Sequence, residues 1–174
     1  MFKVRKANRL KYFDYSSDNL YFVTSCVNDR NCCLGKIEEG IMKLNIYGEI
    51  AKTQWFWLAK QYEYVILHAF VVMPNHIHGI VEINRNSLTN RMDAGTSRDL
   101  SLHPSEIKIK SLSELMGAYK TTSSKQIHLA GLINFIWQRS FHDHIIRNYI
   151  AYQNISNYIN ENPSNWKQDD LNKK

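Results

Sequence analysis

Two histidines, His76 and His78, stand two residues apart in Met73-Pro74-Asn75-His76-Ile77-His78-Gly79. Successive side chains of a β-strand point to opposite faces. On a strand, both imidazoles therefore share one face with Ile80 and Glu82, while Ile77, Gly79, Val81 and Ile83 line the other. One face can pack and the other can coordinate a metal. Two imidazoles are an incomplete site, and a third ligand must come from elsewhere in the chain. Toward the C-terminus Tyr149, Tyr152 and Tyr158 fall on one expected helix, and a phenol beside a metal can serve as a nucleophile. Residues four apart on a helix share a face. Tyr158 with Asn162 and Tyr149 with Gln153 both satisfy that relation, so spacing leaves the choice of tyrosine open.

Three segments occur in a fixed order: the Met73 to Gly79 run, then Trp137-Gln138-Arg139-Ser140-Phe141-His142-Asp143-His144-Ile145-Ile146-Arg147, then Tyr158-Ile159-Asn160-Glu161-Asn162-Pro163. Together they resemble the single-tyrosine HUH transposases, and among them the REP-associated tyrosine transposases, over most of the chain. The resemblance implies a metal-dependent single-strand DNA endonuclease and strand transferase acting on hairpin DNA. It implies Tyr158 as the nucleophile, five residues before the proline of the Asn-Pro pair. It implies a 5′-phosphotyrosine intermediate with a freed 3′-hydroxyl, and Mg²⁺ or Mn²⁺ as the metal. Asn162 is then the candidate third ligand, where related insertion-sequence transposases usually use a glutamine. Lys120 matches a basic residue of the family and is a candidate phosphate contact, and Arg139 and Arg147 are further candidates. A catalytically silent nucleic-acid-binding module, such as a repressor or a domesticated transposase, is the alternative from another class. A metal hydrolase of small phosphoesters, which would not need Tyr158, is a third reading.

Composition bears on the partner. The 174 residues carry 22 Lys and Arg against 16 Asp and Glu, a formal charge of +6, which favours a polyanion. The segment Arg9-Leu-Lys-Tyr-Phe-Asp-Tyr15 mixes cations with aromatics, a composition suited to unpaired bases and backbone, and Arg9 is a candidate DNA contact. Three cysteines, an odd number with two adjacent, fit a reducing compartment better than a disulfide framework. No apolar signal core and no stretch of ~20 apolar residues is present, so a cytoplasmic protein with no membrane partner is expected. Whether it works as a monomer or a homodimer stays open.

The elements that must position these residues are legible in outline. A single domain over residues 1–174 is expected, with a hydrophobic share of 44% sufficient for a core. Residues 21–27 read as a strand. Ile37, Ile41, Leu44, Gly48, Ala51, Trp55 and Leu58 recur at helical intervals and predict one helix. Residues 64–72 and 76–83 read as strands joined by a tight turn at Met73-Pro74-Asn75. Residues 84–110 are polar and predict a mobile loop. Ser111 and Glu114 have the form of a capping box opening a helix to about residue 126. A short strand over 133–137, a loop over 138–143 and a last helix over 145–161 complete the chain. The order β-α-β-β-α-β predicts a ferredoxin-like α+β sandwich, an antiparallel sheet with two helices on one face, plus a C-terminal helix carrying the nucleophile.

Overall fold

A computed structural model describes residues 10–87 and 108–172. Its elements are β1 (Asn19–Cys26), β2 (Gly35–Glu38), β3 (Ile41–Leu44), α1 (Ile46–Gln61), β4 (Val65–Val72), β5 (His76–Ile83), α2 (Leu112–Leu129), β6 (His142–Ile146) and α3 (Tyr149–Glu161). Four strands form one sheet in the order β4-β5-β1-β6, with every neighbour antiparallel. β2 and β3 make a separate hairpin.

Trp55 and Leu58 of α1 and Leu115, Met116 and Tyr119 of α2 bury one sheet face together with Val23, Ile77 and Val81. α3 lies on the opposite face, over a smaller cluster of Ile80, Ile146 and Ile159. This is the α+β sandwich predicted from the element order. The period-2 pattern of β5 explains both faces at once, since its odd-numbered residues pack under α1 and α2 while the histidines look toward α3. Gly79 belongs to that design. A Cβ there would lie 2.3 Å from the Trp55 ring, so glycine lets the largest fully buried side chain of α1 lie against the sheet, where it stacks on Phe70 at 4.6 Å.

Helix starts follow side-chain caps. Asn45 accepts from the Tyr47 and Gly48 amides at the start of α1, Ser111 and Glu114 form the predicted capping box of α2, and Asn148 accepts from the Ala151 amide at the start of α3. Among the described residues, no helix is long and apolar enough to cross a membrane.

Three elements differ from the sequence prediction. Ile37, Ile41 and Leu44 lie on the β2–β3 hairpin rather than on α1. Its turn uses positive φ at Glu39 (51°) and Gly40 (75°), the backbone a two-residue hairpin turn demands, and the helix cannot begin before its cap at Asn45. Residues 133–137 supply only an isolated bridge, Val27 with Trp137. The edge strand is β6, in residues read as a loop and a helix start, and the Asn148 cap delays the helix to Tyr149. Most of the predicted 84–110 loop, and Arg9, lie outside the described residues.

Candidate metal and nucleophile site

His76 and His78 are both buried on the α3 face of β5, at 0% and 2% exposure. Their Nε2 atoms lie 3.0 Å apart. Adjacent ligands of an octahedral ion with bonds of ~2.1 Å are separated by about this distance. The outer nitrogens are held from behind. His76 Nδ1 lies 2.7 Å from Asn75 Oδ1, and His78 Nδ1 lies 2.8 Å from Thr24 Oγ1. An amide oxygen only accepts, so the His76 proton sits on Nδ1 and its Nε2 lone pair faces inward. The Thr24 hydroxyl can accept in the same way from His78. Burial, helped at His76 by the charge of Arg30 and at His78 by His76, pulls both imidazoles down to about 3, which keeps them in the neutral, ligating form.

Tyr158 meets this pair from α3. Its hydroxyl donates to His78 Nε2 at 3.2 Å, while Phe22 of β1 stacks on the His78 ring and packs edge-on against Tyr158. Burial, and then the charge of Asp169, push the phenol up from its ordinary range, whereas donation from the Asn162 side chain works against them. The side chain is still 47% exposed, enough for a substrate to reach the oxygen. Tyr152 is hydrogen-bonded to His68 instead, and Tyr149, 73% exposed, stacks on Tyr152 at 6.4 Å. Of the three tyrosines, Tyr158 is the one at the histidines.

Two buried oxygens are candidate further ligands, one beside Tyr158 and one beside His76. Asn162 is 3% exposed, and its Oδ1 has no hydrogen-bond partner. Asp169, which sequence reasoning missed, reaches the histidine pair from beyond α3. Its Oδ2 lies 3.9 Å from His76 Nε2 and also has no hydrogen-bond partner, while its Oδ1 accepts from the Leu171 amide at 2.7 Å. His76, His78 and Asp169 each offer a ligand atom within 4.8 Å of the others, a group that can hold a metal. Buried polar atoms are nearly always paired. The orphaned Asp169 oxygen beside two inward imidazole nitrogens fits a divalent cation.

The segment after α3 is tied down at several points. A turn of 3-10 helix, Trp166–Gln168, precedes Asp169, and the Trp166 ring sits 6.0 Å from that of His76. Asn75 Nδ2 donates to the carbonyls of Leu171 and Arg30. Asn75 thus orients His76 and the Asp169 segment together. Only the acidic pair Asp169-Asp170 in a polar tail hinted at this ligand, and Thr24 carried no signal beyond its place on a strand.

The candidate DNA contacts are spread more widely. Lys120 Nζ donates to the carbonyls of Gln138 (2.8 Å), Ser140 (3.1 Å) and Arg139 (3.4 Å) and lies over the Phe141 ring. It therefore staples the loop after α2. The Gln138 amide donates to the Cys26 carbonyl, and Cys26 is the cross-strand partner of His76, so the exposed Arg139 stands at the metal end of the sheet. Beside it runs an open groove of about 620 Å³ with Lys125, His128, Leu129, Ile136 and Arg139 in its wall and no acidic residue lining it. Arg147 is exposed at the opposite end, since it follows Ile146, the partner of Leu20, whereas Thr24 is the partner of His78. The structure does not bring Arg147 to the histidines.

No family model matches the chain. It is 32% identical over 171 residues to an uncharacterized protein of Haemophilus influenzae, across 96% of this chain and 92% of that protein. The two belong to one family. Among solved structures, the fold is similar to that of a REP-associated tyrosine transposase bound to a REP hairpin, with a TM-score of 0.55 and 21% identity over 89% of this chain and 70% of that one. The likeness is one of fold, and it coincides with the resemblance carried by the three sequence motifs.

Proposed function

We propose that the chain is a metal-dependent transesterase of single-stranded, hairpin-bearing DNA that cuts and rejoins strands through a 5′-phosphotyrosine on Tyr158. The observation that carries this reading is the Tyr158 hydroxyl on His78 Nε2, beside a second inward Nε2 and the orphaned Asp169 oxygen. His76, His78, Asp169 and Asn162 would hold the ion, with Mn²⁺ or Mg²⁺ as the fitting metals. When bound, such an ion neutralises charge growing on the phosphate oxygens. Tyr158 supplies the rest. Its phenolic oxygen attacks phosphorus, the bond from phosphorus to the 3′ oxygen breaks, the phenolic proton leaves to solvent, and the departing oxygen is protonated to a 3′-hydroxyl. The stored phosphodiester energy lets another 3′-hydroxyl reverse the step without ATP. Thr24 and Asn75 keep the imidazoles aimed, and Phe22 fixes the tyrosine ring against them.

For DNA, the acid-free groove with Lys125 and Arg139 supports a phosphate track leading to the metal end of the sheet. Lys120 contributes by shaping the loop that presents Arg139. Arg147 and Arg9 extend the set of candidate cations. That the structural neighbour is bound to a REP hairpin supports hairpin DNA as the substrate class. The test is a denaturing gel of labelled single-stranded hairpin DNA incubated with the protein and Mn²⁺. A slow band that protease removes and EDTA prevents is expected, with none from the matching duplex. Tight binding without the band would favour a silent nucleic-acid-binding module.

A further inference from the structure

The sheet face under α3 carries a second polar cluster that the phosphotyrosine chemistry does not use. His68 Nδ1 lies 3.2 Å from the Tyr152 hydroxyl, and His68 Nε2 lies 2.8 Å from Glu82 Oε2. The other Glu82 oxygen accepts from Asn84 at 2.9 Å. An irregularity in β4 builds this chain. Leu67 pairs with Val81 and Phe70 with Gly79, so His68 and Ala69 both fall opposite Ile80. Bulges of this kind re-aim side chains. Leu67 and Phe70 both pack into the core under α1 and α2, and the extra residue between them lets His68 and Ala69 both turn toward α3.

The role of the cluster follows from how α3 is held. Ile159 is the one fully buried residue of α3, resting on a small apolar patch with Ile80 and Ile146 against which Ala151, Tyr152 and Ile155 pack half-buried. So few buried contacts leave a helix at the weakly held end of a fold. Tyr158 makes its own bond to His78, but it donates that bond to the nitrogen a metal site must use. The bond cannot be what seats the nucleophile for reaction. Tyr152 lies six residues earlier, ~9 Å along the helix axis, and its partners stand on strands outside the histidine cluster.

We propose that the Tyr152–His68–Glu82 chain is a latch that seats α3 on the sheet and so positions Tyr158 at His76 and His78. The proposal rests on Tyr158 being the nucleophile. The three residues act through the helix, and Tyr152→Phe removes the latch bond while leaving the ring packed. In the full-length protein, Tyr152→Phe and Glu82→Ala should each slow single-turnover adduct formation at saturating DNA about tenfold, with the dissociation constant for hairpin DNA unchanged. The double variant should be no slower than either single, because the chain works as a unit. Glu82→Gln keeps an acceptor for His68 and should retain the wild-type rate. Independently of activity, amide exchange over residues 149–161 should quicken about fivefold in Tyr152→Phe while β1 and β5 stay protected. Wild-type rates in Tyr152→Phe, slowing matched by lost DNA affinity, or additive effects in the double variant would overturn the latch. If the wild-type protein forms no adduct, the nucleophile reading itself fails. Exchange then decides the latch alone: acceleration confined to α3 supports it, and unchanged exchange overturns it.

Discussion

Replacing Asp169 by asparagine should weaken metal binding without weakening the metal-free fold. The carboxylate oxygen lies 3.9 Å from His76 Nε2 and is buried with no hydrogen-bond partner. Without a metal, such an atom is a liability of about 1–3 kcal/mol, so removing its charge should leave the melting temperature in EDTA equal to or above that of the wild type. With a metal, the same oxygen is the one anionic ligand in the set. Two unit charges 4 Å apart attract by about 4 kcal/mol at an effective dielectric of 20. The amide oxygen or a water recovers part of that. A net loss of about 2 kcal/mol remains, which is about thirtyfold in affinity. Isothermal titration with Mn²⁺, paired with melting curves in EDTA and in Mn²⁺, reads both sides. Wild-type Mn²⁺ affinity together with a lowered melting temperature in EDTA would rule out Asp169 as a ligand and make it an anchor for the tail.

Other perturbations separate the parts of the site. His76→Ala or His78→Ala should abolish the protein–DNA adduct while far-UV circular dichroism stays unchanged, and cleavage at wild-type rates in both would remove the metal site. Gly79→Ala drives a Cβ to 2.3 Å from the Trp55 ring, and overpacking of this kind costs about 2 kcal/mol. The melting temperature should fall about 4–8 °C, and an unchanged value would mean that Trp55 shifts freely. Affinity for single-stranded hairpin DNA should fall as salt rises, and Arg139→Ala should reduce the slope of log affinity against log salt by about 1. An unchanged slope would take Arg139 out of the phosphate track.

The histidine pair, its strand and the face it shares with Glu82 were legible because a strand alternates faces whatever packs against it. The α+β architecture was legible for a related reason, since strand runs and a capping box mark element order without tertiary knowledge. The β2–β3 hairpin was hidden because Ile37, Ile41 and Leu44 continue the α1 spacing by coincidence, and the Glu39-Gly40 turn is a weaker cue than a seven-member stripe. β6 was hidden because an edge strand in a short polar stretch has little pattern of its own. That Asn162 meets Tyr158 was legible from its helical offset. Asp169 was not, because its place beside His76 is set by Asn75 and the Leu171 carbonyl across long sequence separations. His68 escaped for the same reason, since a bulge changes which face a residue takes and leaves no mark in the residue types.

In the proposed reaction Tyr158 bonds covalently to DNA at the histidine cluster. Its most direct test is to trap the adduct of labelled single-stranded hairpin DNA in Mn²⁺, digest it with protease, and identify by mass spectrometry the peptide that retains the nucleotide, alongside Tyr158→Phe and Tyr149→Phe. The predicted result is a nucleotide on the peptide containing Tyr158, an adduct retained in Tyr149→Phe, and none in Tyr158→Phe. An adduct that persists in Tyr158→Phe would contradict it.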